Sequence, residues 1–526
     1  MNWFQGFLKD KKNTTIQILL IVGIAILANM LAKDLIIRFD LTANNRYTLS
    51  PASKNIAKSL KDPITVTAYF SKDLPPQLGR VKDELQNFLN EFRAYSNNNL
   101  EYHFVNPNKS KMDEKKAQQA GVRPVTLDVR KRDQMSQKRA YLGAVFKYHN
   151  KKQAIPVIRP GSGLEYSIAS TVKQLTIKKK PKIGLLQGDG EPSQRQMSQL
   201  VKELKQMYQL VPVSGLDTTS VPADVEALMV IAPKQKLSQH AVRAIDQYIM
   251  SGGRAIFALN EVQTNLQRGM ARVKQTGLEP LLNAYHIPID PDLVYDENSS
   301  TIRVQQRQGS FSIVNNVQYP YIPAISNFAN HPISKGLETV RFQFVSSLDT
   351  TEVDSSQSLT VLAKSSKKSG EARGRFNLNP MRNWSQNDFR QSYLPLAAAV
   401  QGTFQSAFAN NDSVNVPLKK SKKTSIVVIG DGDFVVNGSG QRQQRLSEDN
   451  INLMANSVDW LADDTGLIAL RTQGVTNRPL EQIEDSTKGL LKYLNLFLPI
   501  LFVLGYGFYR YQRRKARRRK WIEEGI

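Results

Sequence analysis

SQHAVRAIDQYIMSGGRAIFAL, residues 238–259, joins a helix to a buried strand and decides the fold class of the chain. Ser238 is a favoured N-cap residue, and Val242, Ile245 and Ile249 recur at the spacing of one helix face. Gly252-Gly253 then stops the helix just before the apolar AIFAL. Upstream, KIGLLQ (182–187) has no polar alternation and reads as a parallel strand buried on both faces, running into Gly188-Asp189-Gly190-Glu191. Met197, Leu200, Val201, Leu204, Met207 and Tyr208 stripe the next helix, and 210–213 and 227–232 supply two further strands. Downstream, SIVVI (425–429) turns through Gly430-Asp431-Gly432-Asp433-Phe434 into a helix with Ile451, Met454, Val458 and Leu461 inward. Strands alternating with helices predict a doubly wound, Rossmann-like lobe over 180–462. Between 260 and 423 the pattern blurs into short strands and polar loops, including the basic run KSSKKSGEARGR (364–375), and is expected to be an elaborated insertion.

The segment before this lobe predicts a second α/β body over 40–178. Ser50 and Pro51 read as N-cap and first residue of a short helix carrying Ile56 and Leu60. ITVTAYF (64–70) alternates as a strand; Leu78, Val81, Leu85, Phe88, Leu89, Phe92 and Tyr95 follow at helical spacing, and LEYHFV (100–105) returns as a strand. That βαβ unit is the start of a thioredoxin-like or related lobe, and 139–148 and 153–158 flank a turn, so a hairpin is expected after it. Lys178-Lys179-Lys180-Pro181 is the linker between the lobes.

Composition narrows the function. The 526 residues contain no cysteine, which excludes disulfides, thiolate metal sites and cysteine nucleophiles. A net charge of +25 suits either a nucleic-acid binder or a protein beside anionic lipid, and two apolar runs decide for the membrane. TTIQILLIVGIAILANMLA (14–32) is uncharged and close to the roughly 20 residues that cross a hydrocarbon core. Residues 28–33 offer no small-x-small cleavage site, so the run is read as an anchor rather than a removed signal peptide. A second span is expected at 490–509, reached by a linker over 463–489 and followed by a tail, 510–526, rich in Arg and Lys. The positive-inside rule places that tail in the cytoplasm; two spans put residues 1–13 there too, and the body between them outside the inner membrane. Gly23 and Ala25 in the first span, and Gly505 and Gly507 in the second, are the small residues at which a partner helix could pack.

Catalytic signatures are few. No Gly-x-x-x-x-Gly-Lys-Ser/Thr loop is present to cradle nucleotide phosphates, and no Gly-x-Ser-x-Gly elbow stands in for the absent cysteine. His103, His149, His240, His286 and His331 are scattered and never form His-Glu-x-x-His. The acidic pairs Asp189/Glu191 and Asp431/Asp433 follow buried strands, whose carboxyl ends form the ligand crevice of such sheets, so these four are the ligand-binding candidates. The competing reading is turn chemistry, in which Asp and Gly simply shape the loops. Arg132, Arg139 and the 364–375 run read as solvated charge. No enzyme activity, cofactor, metal or nucleic-acid partner is expected.

Taken in order, RFDLTANNRYTLSPASKNI (38–56), Asn106-Pro107, LEYSIASTVKQLT (164–176), LLQGDGEPS (185–193), SGGRAIFAL (251–259), VIGDGDFVVNG (428–438) and NLMANSVDWLA (452–462) resemble the GldG family, a gliding-motility-associated auxiliary component of ABC transporters. The resemblance covers nearly the whole chain. It implies a non-catalytic subunit held beside a membrane permease and a separate cytoplasmic ATPase, in contact with lipid and with periplasmic motility or envelope components, and a second lobe similar to glutamine amidotransferases. The family writes Gly-His-Gly-Glu where this chain has Gly188-Asp189-Gly190-Glu191, so a role for that histidine does not carry over. An extracytoplasmic solute- or glycan-binding receptor and an envelope-polymer hydrolase are the alternative readings.

Overall fold

The computed structural model describes residues 48–471 and 485–523, except 73, 132–133, 159–162, 267, 309–310, 352–353, 410–415, 441–442 and 464–465, together with four positions between 20 and 24. The chain divides into two units, Met1–Gly474 and Val475–Ile526, and the first is mixed α/β.

Helix α1 (Pro51–Lys58) starts as its sequence dictates, with the Ser50 hydroxyl accepting from the Ser53 amide and proline in the first turn. Strand β1 (Ile64–Phe70), helix α2 (Pro76–Tyr95) and strand β2 (Leu100–Val105) form a parallel βαβ unit, with Ile64 opposite Leu100. After α3 (Lys111–Gln119), β3 (Pro124–Lys131), β4 (Gln134–Tyr148) and β5 (Lys151–Ile155) add antiparallel strands. The sheet order is β2-β1-β4-β3, with β5 also on β4. Helix α4 (Leu164–Thr176) packs Ile168, Val172 and Leu175 into the same core as Leu85, Leu89 and Phe92 of α2.

The second sheet begins with β6 (Lys182–Leu186), then α5 (Ser198–Leu204), β7 (Gln209–Val213), β8 (Val225–Ile231), α6 (Gln239–Met250) and β9 (Arg254–Ala258). All four strands run parallel. Residues 260–423 hold a hairpin of β10 (Val262–Asn265) and β11 (Met270–Val273), helix α7 (Glu279–Ala284), and strands β12 (Asp292–Asp296), β13 (Ser299–Gln308), β14 (Phe311–Ile325), β15 (Asn327–Phe328), β16 (Val340–Arg341), β17 (Gln357–Lys364), β18 (Ser369–Arg373) and β19 (Pro395–Gly402). Strand β20 (Thr424–Ile429) and helix α8 (Glu448–Ala462) complete it, and α9 (Leu467–Arg471) returns Leu467 and Leu470 to the N-terminal core.

The eight-stranded order is β15-β17-β19-β20-β9-β8-β6-β7. The 260–423 segment is therefore more than an insertion: three of its strands extend the main sheet antiparallel from β20. Alternate residues feed two faces. Ala227, Met229 and Ile231 of β8 meet α5 and α8 on one side, while Leu228 and Val230 meet α6 and α7 on the other. This double burial is why the parallel strands carry unbroken apolar runs. Within the parallel part, β7-β6-β8-β9-β20, the first strand lies between the second and third, so successive connections leave β6 in opposite directions. Sheets of this kind bind ligands at such a switch point, here beyond the carboxyl ends of β6 and β8.

Described by itself, the second unit contains α10 (Asp485–Glu523), a helix of 39 residues that includes the run expected to span a membrane. Its apolar side chains are exposed on every side: Leu501, Phe502, Val503 and Leu504 are consecutive and 63–71% exposed. Of the first expected span only Leu20, Ile21, Gly23 and Ile24 are described, all helical, and Ala25 lies outside the described residues. Among the described residues no helix is long and apolar enough to cross a membrane.

Candidate functional site

Loops after β6, β8, β9, β11 and β20 converge on the switch point and are tied to one another. The Asp189 carbonyl accepts from the amides of Lys234 (2.9 Å) and Gln235 (2.8 Å), joining the β6 and β8 loops. Lys274, which follows β11, donates from Nζ to the Pro233 carbonyl, and its amide donates to the Glu261 carbonyl at 2.8 Å. Asn260 clamps the β20 loop: its Oδ1 accepts from the Gly432 amide at 2.7 Å and its Nδ2 donates to Asp433 Oδ2 at 2.8 Å.

The four acidic candidates separate into different roles. Asp431 is fully buried; Oδ2 accepts from the Gln343 amide (2.6 Å) and Oδ1 from the Asp433 amide (2.7 Å). Burial, then the neighbouring Asp433 charge, holds its carboxyl well above the usual range. It braces the β20 loop against the 340–346 segment and does not reach the crevice as a ligand group. Burial, then the Asp217 charge, raises the Asp189 carboxyl, and the Asp189 charge acts in turn on Glu191. Glu191 and Asp433 both act electrostatically on Lys274, whose charge they favour. Glu191 Oε2 accepts from the amides of Gly188 (3.0 Å) and Asp189 (2.8 Å), while Oε1 is buried without a partner. Asp433 reaches water at the mouth yet is hemmed in by protein, and burial raises its carboxyl against the opposing pull of Asn260, Lys234 and Lys274.

Three residues of this site were not among the sequence candidates: Lys234, Glu261 and Lys274. Glu261 is only 3% exposed, and its carboxyl makes no hydrogen bond among the described residues. Burial first, then Glu279, pushes it up to about 8, opposed by Lys274. Lys274 is lowered by burial in turn. The available signal was a glutamate immediately beyond the buried strand AIFALN, where sheet ligands are bound. Among the described residues, no three His, Asp or Glu side chains converge as a metal set. The helix-packing candidates Gly23, Gly505 and Gly507 have no neighbouring atom within 4 Å of a Cβ built on them.

A doubly wound sheet with charged loops at its switch point defines a broad class, and the sequence match narrows it. The family model described as "ABC-type uncharacterized transport system" matches residues 180–463, more than half of the chain, and the chain belongs to that family of ABC transport auxiliary components. A domain of unknown function matches residues 43–147. A relative from Borreliella burgdorferi, carrying the name "Uncharacterized protein", is 23% identical over 535 residues, covering 97% of this chain and 99% of its own. Among solved structures, "mmIFT52 N-terminal domain" aligns at a TM-score of 0.33 and 15% identity, over 54% of this chain and 97% of that one. A ThuA-like protein from Parabacteroides merdae aligns at 0.28 and 11%, over 54% of this chain and 91% of that one.

Proposed function

We propose that the chain is a membrane-anchored auxiliary subunit of an ABC transporter of the GldG type, coupled to a permease and to a separate cytoplasmic ATPase. In this reading both termini are cytoplasmic, the α/β body stands in the periplasm of a bacterium, and surface motility is the process served. The observation that carries it is the union, in one chain, of a transport-auxiliary body over 180–463 with a helix whose apolar side chains are exposed all round. A water-facing helix of a globular protein is apolar on one stripe, whereas one apolar all round is covered by lipid or other helices. The subunit itself is non-catalytic: with no cysteine, nucleotide loop or nucleophile elbow in the sequence, it moves or docks in response to a motor elsewhere.

Copurification from native membranes tests this. The full chain should recover a permease and an ATPase, and replacing Gly505 and Gly507 together by leucine should reduce that recovery with the body still folded. Recovery of no transporter subunit by the full chain would refute the reading; undiminished recovery by the double variant would remove that helix face from the contact. Because the chain has no cysteine, one introduced at the exposed Lys423 reports the topology directly, and labelling only after the inner membrane is permeabilised would contradict a periplasmic body.

A further inference from the structure

We infer that helix α9 is a strap fastening the two α/β lobes across a joint that has no core of its own, and that its release lets the lobes turn against each other. The strap belongs to the body alone, so it is tested apart from the transporter reading.

The two lobes bury their apolar side chains separately. Among the described residues, none from 48–178 enters either of the cores that flank the eight-stranded sheet. In the other direction, the first lobe's core takes only Leu467 and Leu470 from the chain beyond 178. Both lie on α9. That helix follows the second lobe in sequence yet packs on α4 of the first, where the Leu470 carbonyl lies 3.9 Å from a Cβ built on Gly163. A large apolar interface is what makes two lobes one rigid body, and here a helix of five residues stands in for it. Five residues are too few to stay helical alone, so α9 keeps its shape only while docked.

Asp463 supplies the polar half of the fastening. It directly follows α8; its Oδ2 accepts from the Ile468 amide at 2.9 Å, and its Oδ1 takes Lys173 Nζ of α4 at 3.2 Å. One buried carboxylate thus ties the end of the second lobe both to the strap and to the first lobe. Beside it the seam is not filled. A cavity of about 130 Å³ lies between α4, α5, α8 and α9, with Tyr166, Lys173, Tyr208, Asp459 and Asp463 on its wall. Close packing resists relative motion, whereas a gap beside the fastening leaves the lobes room to rotate. Small contacts open before whole cores unfold, so α9 detaches while both lobes stay folded. In sequence, 472–484 join α9 to α10, and a displacement of α10 therefore arrives at the fastening.

The test is the distance between two spin labels on the full chain in detergent, one on Glu101→Cys in β2 and one on Gln239→Cys in α6. Both positions are exposed, and the chain has no cysteine to compete. The parent should give a narrow distribution. Leu467→Ser with Leu470→Ser should roughly double its width, while hydrogen exchange rises about tenfold or more in α9 and stays within about twofold in β1 and β8. Leu467→Met with Leu470→Met keeps the apolar volume and should restore the parent distribution. A distribution already broad in the parent, one unchanged in the serine variant, or an α9 still protected there would overturn the strap. If the serine variant also loses protection in β1, Asp463→Asn decides alone: it weakens only the polar ties, and a widened distribution upholds the strap where an unchanged one overturns it.

Discussion

Two loops of this protein are written almost alike, Gly188-Asp189-Gly190-Glu191 after β6 and Gly430-Asp431-Gly432-Asp433 after β20, and the fold puts them to different uses. The second is welded. Gly430 lies so close to the Ser346 carbonyl that a Cβ on it would come within 2.0 Å, and both Asp431 oxygens hold backbone amides. The first is closed on itself: Gly190 adopts φ +83° to bring the loop over Lys234, Glu191 holds amides of its own turn, and its other oxygen is buried without a partner. The difference comes from sheet position. Both strands are flanked on each side, but the 340–346 segment packs over the end of β20, whereas β6 sits where the connections part. Closely similar turn chemistry becomes a brace between segments in one place and a self-contained turn in the other.

Removing the brace should have the largest effect. Asp431→Ala removes the acceptors of two part-buried amides and empties a fully buried position, and is expected to lower the unfolding free energy by roughly 2–5 kcal/mol. Denaturant unfolding measures this, and a loss under about 1 kcal/mol would erase the distinction between the loops. An intermediate effect is expected from pH. Between the ordinary carboxylate value of 4.5 and about 8, Glu261 is ionised in the unfolded chain and protonated in the folded one. The folded state then holds the extra proton, so stability should fall as pH rises through that window, at up to about 1.4 kcal/mol per unit. Glu261→Gln should flatten the profile between pH 5 and 8; an unchanged slope would mean that another group sets it. Smallest is Glu191→Gln, which keeps an acceptor for the two amides and relieves a buried charge. Its stability should stay within about 0.5 kcal/mol of the parent, and a larger loss would make Glu191 a second brace.

The parallel strands and their helices were legible because burial on both faces writes long apolar runs and the helices carry one-sided stripes. Strand β19, PLAAAVQG, was not: alanine has little strand preference, and its central place in the sheet is set by partners β17 and β20 far away in sequence. Of the site, the sequence indicated the right strand ends but could not tell Asp431 from Asp433, because Gln343, which claims the Asp431 carboxylate, is 88 residues away. Lys234, Glu261 and Lys274 were invisible for an ordinary reason. Lysine and glutamate in loops are usually solvated, and only the converging backbone shows that these three gather at the same strand ends.

The continuity of helix α10 has a mechanical consequence. At about 1.5 Å per residue its 39 residues form a rod of roughly 58 Å, about twice the thickness of a hydrocarbon layer. Its apolar and arginine-rich portions belong to one hydrogen-bonded cylinder, so turning the basic end by one residue's worth, about 100°, turns the apolar end with it. Pro499 alone interrupts the ladder, lacking the N–H that would bond four residues back. A tug or twist applied beside the arginines would thus pass up the rod with a single compliant joint on the way.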